Sequence, residues 1–278
     1  MTITAQEFEG IVGRALQEDV GQGDVTSMWT LPVGLTGHGV FLCKAAGILA
    51  GLQVVQEVFR QVSAGVVLKA QVADGDPISP GERLATVEGP MEAILTAERT
   101  ALNLMQRMSG IATATRRYVQ AVSGTRAVIL DTRKTVPGLR VLDKWAVRLG
   151  GGENHRMRLD DMVLVKDNHI AAAGGITAAW QRIQRQNRAD LPVEIEVKTW
   201  AELEEAVALR PDRIMLDNMS PDEMCQAVAW VAGRVPLEAS GGITIETVRA
   251  VAETGVDYIS VGALTHSVIA LDISLEVE

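Results

Sequence analysis

The feature that most limits how this chain can fold is the rhythm of its second half. The runs "AVILD", "MVLVK", "VEIEV", "RIMLD", "PLEAS" and "YISVG" are short and dominated by Val, Ile and Leu, and helical patterns separate them. Apolar strands of this kind, alternating with helices, suit a parallel sheet covered on both faces. Two architectures meet that condition, a (β/α) barrel and a doubly wound open sheet. Almost every run closes on a polar or permissive residue: Asp131 and Arg133, Lys166, Glu196, Asp217, Ser240, then Gly262. A barrel gathers such carboxyl ends into one mouth, whereas an open sheet spreads them along an edge with its site at one switch point. Polarity at a single strand end only reports nearby water, but so many reactive ends together favour the barrel.

The first half reads differently. "TAQEFEGIVGRALQED" begins with Thr4 and Glu7 at capping-box spacing and puts Phe8, Ile11, Val12, Ala15 and Leu16 on one face, which predicts a first helix. A loop rich in Gly and Asp follows, then short strands between residues 37 and 90 with one helix near 52 to 62, a small mixed α/β domain. From Pro90 to Val122 the pattern is helical, with a break or bend expected near Ser109 and Gly110.

Charge narrows the class of partner. The 278-residue chain carries a net charge of −9, which disfavours a nucleic-acid coat or an anionic membrane surface. Residues 131 to 170 nevertheless hold eight Lys/Arg against six acidic residues. A local cationic site on an acidic protein points to a small anionic ligand. No run of about 18 apolar residues suggests a membrane span, and "MTITAQEFEG" lacks the features of a secretory leader. Cys43 and Cys225 lie far apart with no CxxC spacing and read as buried small hydrophobes. A cytoplasmic location is the corresponding expectation.

The strand ends suggest the chemistry. "EASGGITIETV" and "YISVGALTHS" place Gly where backbone N–H groups can meet a phosphate, the first leading into a helix start. Glu196 and Asp217 close neighbouring strands, and such a carboxylate pair suits Mg2+ bridging to a diphosphate or hydrogen bonds to ribose hydroxyls. An ion pair with nearby Lys or Arg is the plainer reading of the same residues. The four histidines show no zinc spacing with cysteine. Arg133, Lys134, His155, Arg156 and Lys166 together imply a ligand with more than one carboxylate besides its phosphates.

At this point the chain resembles the quinolinate phosphoribosyltransferases, also called carboxylating nicotinate-nucleotide pyrophosphorylases. The resemblance runs through "EDVGQGDVT", "GPMEAILTAERTALNLMQRMSGIAT", "DTRKTVPGLR", "DKWAV", "GGGENHR", "LVKDNHI", "VEIEV", "IMLDN", "EASGGI" and "GVDYISVGALTHS". It implies an α/β fold with an N-terminal α/β sandwich over residues 1–109, joined by a C-terminal return segment at 266–278, and an incomplete seven-stranded barrel over 110–265. It implies transfer of phosphoribosyl from 5-phosphoribosyl 1-diphosphate to quinolinate with decarboxylation, giving nicotinate mononucleotide, diphosphate and CO2, with Mg2+ as cofactor. Arg133, His155, Arg156 and Lys166 would hold the two carboxylates, with Thr132 beside them. Lys134 would meet the phosphoribosyl donor and act, with Glu196 and Asp217, in catalysis. Glu196 and Asp217 would serve the ribose and the metal. Ser240, Gly241 and Gly242, with Gly262, Ala263 and Leu264, would form the phosphate loops. The family pairs head to tail, so Arg99 would complete the site of a partner subunit in a homodimer, a higher oligomer of dimers being left open. One departure stands out: Lys198 and Thr199 follow "VEIEV" where a further acidic residue and a small polar one are expected.

Three other readings compete. A relative that ribosylates a monocarboxylate would leave buried cations without partners, which is costly. A non-catalytic binding module would have no use for Lys134, Glu196 and Asp217. A barrel aldolase with a Schiff base on Lys166 sits poorly with the surrounding arginines.

Overall fold

The computed structural model describes residues 4–277. Its first half runs α1 (Ala5–Val20), α2 (Val25–Thr30), β1 (Thr36–Cys43), β2 (Gly47–Ile48), α3 (Leu52–Val62), β3 (Val67–Ala70), β4 (Pro77–Ile78), β5 (Arg83–Pro90) and α4 (Met91–Ala121). The second runs β6 (Val128–Leu130), α5 (Arg140–Leu149), β7 (Val163–Val165), α6 (Asp167–Ala173), α7 (Ile176–Gln186), β8 (Val193–Val197) and α8 (Trp200–Leu209). It ends with β9 (Arg213–Asp217), α9 (Pro221–Val231), β10 (Leu237–Ser240), α10 (Val248–Glu253), β11 (Tyr258–Ser260), α11 (Ala263–His266) and β12 (Ile273–Val277).

The chain divides into two compact units. The first comprises residues up to 116, 135–151 and 264 onward; the second comprises 117–134 and 152–263. The division differs from the expected one in a single large respect. Residues 135–151, inside the expected barrel, belong with the N-terminal unit. The physical reason is α5: Leu142, Trp145, Ala146 and Val147 are buried, and Trp145 stacks on Phe8 of α1 at 6.0 Å between ring centroids. Lys144 is fully buried there as well.

In the first unit a four-stranded antiparallel sheet has the order β12-β1-β5-β3. Here the C-terminal segment returns, with Leu275 opposite Phe41 and Ile273 opposite Cys43; Glu278 lies outside the described residues. Helix α1 carries the expected cap, the Thr4 N–H donating to Glu7 Oε2 at 2.8 Å. The Gly- and Asp-rich loop contains a short helix that periodicity could not reveal: Asp24 caps α2, accepting from the N–H groups of Thr26 and Ser27.

Helix α4 is continuous over 31 residues, so the expected break at Ser109 and Gly110 is absent. Those residues are small because backbone comes close. A Cβ on Gly110 would clash with the Ile269 carbonyl, and the Ser109 hydroxyl donates to Ala50 O at 3.1 Å. Cys43 is buried as expected, but Cys225 is exposed. Helix α9 buries Met224, Ala227 and Val231, and position 225 falls off that stripe.

The second unit holds a six-stranded sheet, order β6-β11-β10-β9-β8-β7, in which every pairing is parallel. The first strand in sequence, β6, pairs with the last, β11, as barrel-like closure requires. An isolated parallel bridge joins Leu130 to Glu153 on the other side of β6. No helix among the described residues is long and apolar enough to cross a membrane.

One ion pair ties the discontinuous segments of the first unit together. The Arg107 guanidinium on α4 donates to both Asp143 oxygens on α5 at 2.8 Å, and also to Thr265 O at 3.3 Å. Asp143 is fully buried. Removing Arg107 would strand that carboxylate, so Arg107→Ala is expected to lower stability by about 3–5 kcal/mol, measured as a fall in the urea midpoint.

Candidate active site

Strand alternation builds the site. On β8, Val193, Ile195 and Val197 take one face while Glu194 and Glu196 take the other, and all five are buried. The same alternation puts Arg213, Met215 and Asp217 on one face of β9, and Glu238 and Ser240 on one face of β10. Register pairs Glu196 with Met215 and Asp217 with Ser240. Glu196, Asp217 and Ser240 therefore stand at the carboxyl ends, around a cavity of about 500 Å3. Thr132, Arg133, Lys134, His155, Arg156 and Lys166 also line it, as do Asn218, Gly241, Gly242 and Ser260.

One wall is cationic. Burial is the main cause that lowers the Arg156 pKa, and the nearby Arg133 guanidinium adds to it. Arg156 Nη1 donates to Met162 O at 3.1 Å, whereas Arg133 Nε is buried with no hydrogen-bond partner. Two neighbouring guanidiniums with an orphaned donor make an anion site that the protein itself does not satisfy.

The opposite wall is acidic and internally compensated. Lys166 Nζ lies 3.8 Å from Glu196 Oε2, and Lys198 Nζ lies 3.8 Å from Asp217 Oδ2 and 2.6 Å from Asp167 Oδ2. Burial raises the Glu196 pKa, Lys166 opposes the rise, and Asp217 reinforces it. The ion-pair reading of Glu196 and Asp217 therefore describes the ligand-free chain. It leaves their oxygens available to a divalent cation, for which paired carboxylates are suitable hard donors.

Between the walls lies the Ser240, Gly241, Gly242 turn. Gly241 has φ +97°, and a Cβ there would run into the Asn218 side chain. Asn218 is itself left-handed, with φ 56°, and its N–H donates to Ser240 O at 2.8 Å. Helix α10 starts only at Val248, so these glycines do not open directly into a helix as expected.

Comparisons with known proteins agree with this arrangement. Models described as the N-terminal and C-terminal domains of quinolinate phosphoribosyl transferase match residues 24–109 and 111–276. The chain belongs to the quinolinate phosphoribosyltransferase family. It is 44% identical to quinolinate phosphoribosyltransferase [decarboxylating] 1b of Nicotiana tabacum, over 98% of this chain and 83% of that one. It is equally similar, at 44%, to the probable nicotinate-nucleotide pyrophosphorylase [carboxylating] of Bacillus subtilis, over 98% of this chain and 93% of that one. Among solved structures, the nicotinate-nucleotide pyrophosphorylase of Francisella tularensis superposes with a TM-score of 0.95 at 38% identity, covering 100% of this chain and 98% of its own.

Within this member of the family, several residues differ from their expected places. His155 lines the cavity as expected, and both its ring nitrogens also have protein partners. Its Nδ1 accepts the Arg156 N–H at 2.7 Å, so Nε2 carries the proton and donates to Glu194 Oε2 at 2.9 Å. The ring thus orients the residue beside it. Asp131 is also structural: fully buried, it accepts from the His155 N–H at 2.9 Å and from Asn154 Nδ2 at 2.6 Å. On β11 it is Ser260 that lines the cavity, whereas Gly262, Ala263 and Leu264 do not. Leu264 is buried. Arg99, on α4 of the first unit, pairs with Glu98 at 2.8 Å.

Asn218 and the buried acids were missed. Asn218 follows Asp217 in "IMLDN", where only the acid drew attention. Glu194 and Glu238 sit in apolar runs, and only period-two counting from Glu196 and Ser240 would place them inside the barrel. Ligand atoms of His155, Glu194 and Glu238 lie within 4.8 Å of one another, a grouping compatible with a metal. The structure fills it instead with protein cations and protons: Arg213 Nη1 meets Glu238 Oε2 at 2.8 Å while its guanidinium covers the Tyr258 ring.

Burial, and for Glu238 the neighbouring Glu194 charge, push both carboxyls up to about 7. The folded chain thus holds protons that the unfolded chain releases near the ordinary value of 4.5. The resulting stability is fully present below that value and is lost as pH rises to about 7. Urea titrations at about pH 5 and pH 8 are expected to show this fall, and Glu238→Gln to flatten it.

Proposed function

We propose that this chain transfers the phosphoribosyl group of 5-phosphoribosyl 1-diphosphate to the nitrogen of quinolinate and releases CO2, giving nicotinate mononucleotide and diphosphate in NAD biosynthesis. The observation that carries the reading is the meeting of Arg133 and Arg156, one with an orphaned buried Nε, in a cavity whose other wall bears Glu196 and Asp217. A planar diacid satisfies two adjacent guanidinium forks, whereas a monocarboxylate leaves one unpaired.

Arg133 and Arg156, with Lys166 across the cavity, hold the ring so that its nitrogen faces the anomeric carbon. Lys134 faces the diphosphate, and the turn at Ser240, Gly241 and Gly242 offers backbone N–H groups to the 5'-phosphate. Glu196 and Asp217 steady the ribose as its ring oxygen gains oxocarbenium character, and they would hold Mg2+. When bound, the metal would supply positive charge to the departing diphosphate. As the N–C bond forms, the bond from the anomeric carbon to diphosphate breaks. The pyridinium nitrogen then takes up the electron pair left by departing CO2, and a proton replaces the lost carboxylate. Positioning and charge neutralisation account for the acceleration without a covalent enzyme intermediate.

Three finer readings belong to this proposal. The bridge at Glu153 counts as the seventh strand of an incomplete barrel. The molecule acts as a homodimer in which Arg99 of the partner subunit reaches the diacid. The chain works in the cytoplasm.

Incubation with Mg2+, the donor and either quinolinate or nicotinate is expected to yield nicotinate mononucleotide and CO2 from quinolinate alone. Product from nicotinate would favour the monocarboxylate reading. Arg133→Ala or Arg156→Ala is expected to raise the KM for quinolinate by at least about thirtyfold, while the donor KM changes by less than about threefold. Equal losses for both substrates would rule out the assignment. Mixed dimers of Arg99→Ala and Arg133→Ala chains are expected to regain activity, since one intact site forms per pair.

A further inference from the structure

Beside the acidic wall stands a cation that the proposed reaction does not use. Lys198 follows β8 directly, and its backbone is fixed: its N–H donates to Glu202 Oε2 at 2.7 Å, and the Thr199 N–H shares that oxygen at 3.0 Å. This box caps α8 and leaves the Lys198 side chain projecting from the strand end. Its ammonium lies 2.6 Å from Asp167 Oδ2 and 3.8 Å from Asp217 Oδ2. Asp167, at the first turn of α6, acts as its tether, and the Lys198 hydrogen bond is the leading cause that lowers the Asp167 pKa.

Exposed ion pairs of this type contribute little to stability. Their position can matter more than their strength. Lys166 and Lys198 each approach one of the carboxylates assigned to the metal, Glu196 and Asp217 respectively. Lys166 also lines the cavity that receives the substrates, whereas Lys198 does not. Its charge acts first on Asp167, which it touches, and next on Asp217.

We propose that Lys198 is a tethered cation that competes with a divalent metal for Asp217, so that the ligand-free protein binds the metal weakly and takes it up mainly with the diphosphate. The inference rests on the assignment of Glu196 and Asp217 to the metal. Metal uptake becomes coupled to donor binding because the diphosphate brings back the negative charge that the Lys198 ammonium partly offsets at Asp217. The ammonium, on a flexible four-carbon stem and about half exposed, is then available to the arriving anion.

The test is titration of the ligand-free protein with Mn2+, standing in for Mg2+, with free Mn2+ followed by electron paramagnetic resonance at constant ionic strength. Lys198→Ala is expected to tighten Mn2+ binding by about tenfold, because one like charge a few ångströms from the ion is removed. Lys198→Arg, which keeps the charge, is expected to stay within about twofold of the wild type. Adding Asp217→Asn to Lys198→Ala is expected to abolish the gain. An unchanged thermal midpoint for Lys198→Ala excludes misfolding, as expected for a half-exposed side chain. If Mn2+ binding is lost with Asp217→Asn yet unaltered by Lys198→Ala, this proposal is overturned and the metal assignment stands. If neither the wild type nor Lys198→Ala binds Mn2+, both are overturned.

Discussion

The register of three parallel strands, β8, β9 and β10, is the constraint on which the rest of the site depends. Side chains alternate with period two, so one choice of face places Glu196, Asp217 and Ser240 at the mouth and Glu194, Met215 and Glu238 further in. A slip of one residue would send every one of these groups to the other face. The apolar residues between them, Ile195, Leu216 and Ala239, are buried and hold the register by packing. The hydrophobic pattern thus positions the charged groups without contacting a ligand.

Within that frame the site is organised by separated charge. Guanidiniums occupy one wall, with like-charge repulsion that an anion would relieve, and carboxylates the other, partly offset by Lys166 and Lys198. The inner layer works differently. There His155 pairs with Glu194 and Arg213 with Glu238, while Glu194 Oε1 and Glu238 Oε1 are left without hydrogen-bond partners, so two close pairs brace the mouth. His155 links the two levels, receiving the Arg156 N–H on one nitrogen and holding Glu194 with the other.

Much of this was legible in the linear pattern. The six apolar runs became the six strands of the parallel sheet, and all their polar ends except Asp131 and Gly262 line the cavity. Thr4 and Glu7 marked the start of α1 because a capping box is local chemistry. The failures share a cause. Ser109 and Gly110 looked like a helix break because small residues weaken helices, yet they are small to admit the backbone of a distant segment. His155 looked like a simple ligand contact because it stands beside Arg156, whereas its ring also holds Glu194, 39 residues away.

Residue types at strand ends, the glycine turn and the family motifs are properties of neighbours in sequence, and period-two and period-3.6 geometry converts them directly into faces and ends. The identity of a partner across space is not such a property. Whether Lys198 meets Asp217, whether Asp131 faces solvent or the His155 backbone, and whether α5 joins the barrel or packs through Trp145 against Phe8 are matters of closure. Desolvation and pairing act over a few ångströms in three dimensions, so only the folded arrangement could decide them.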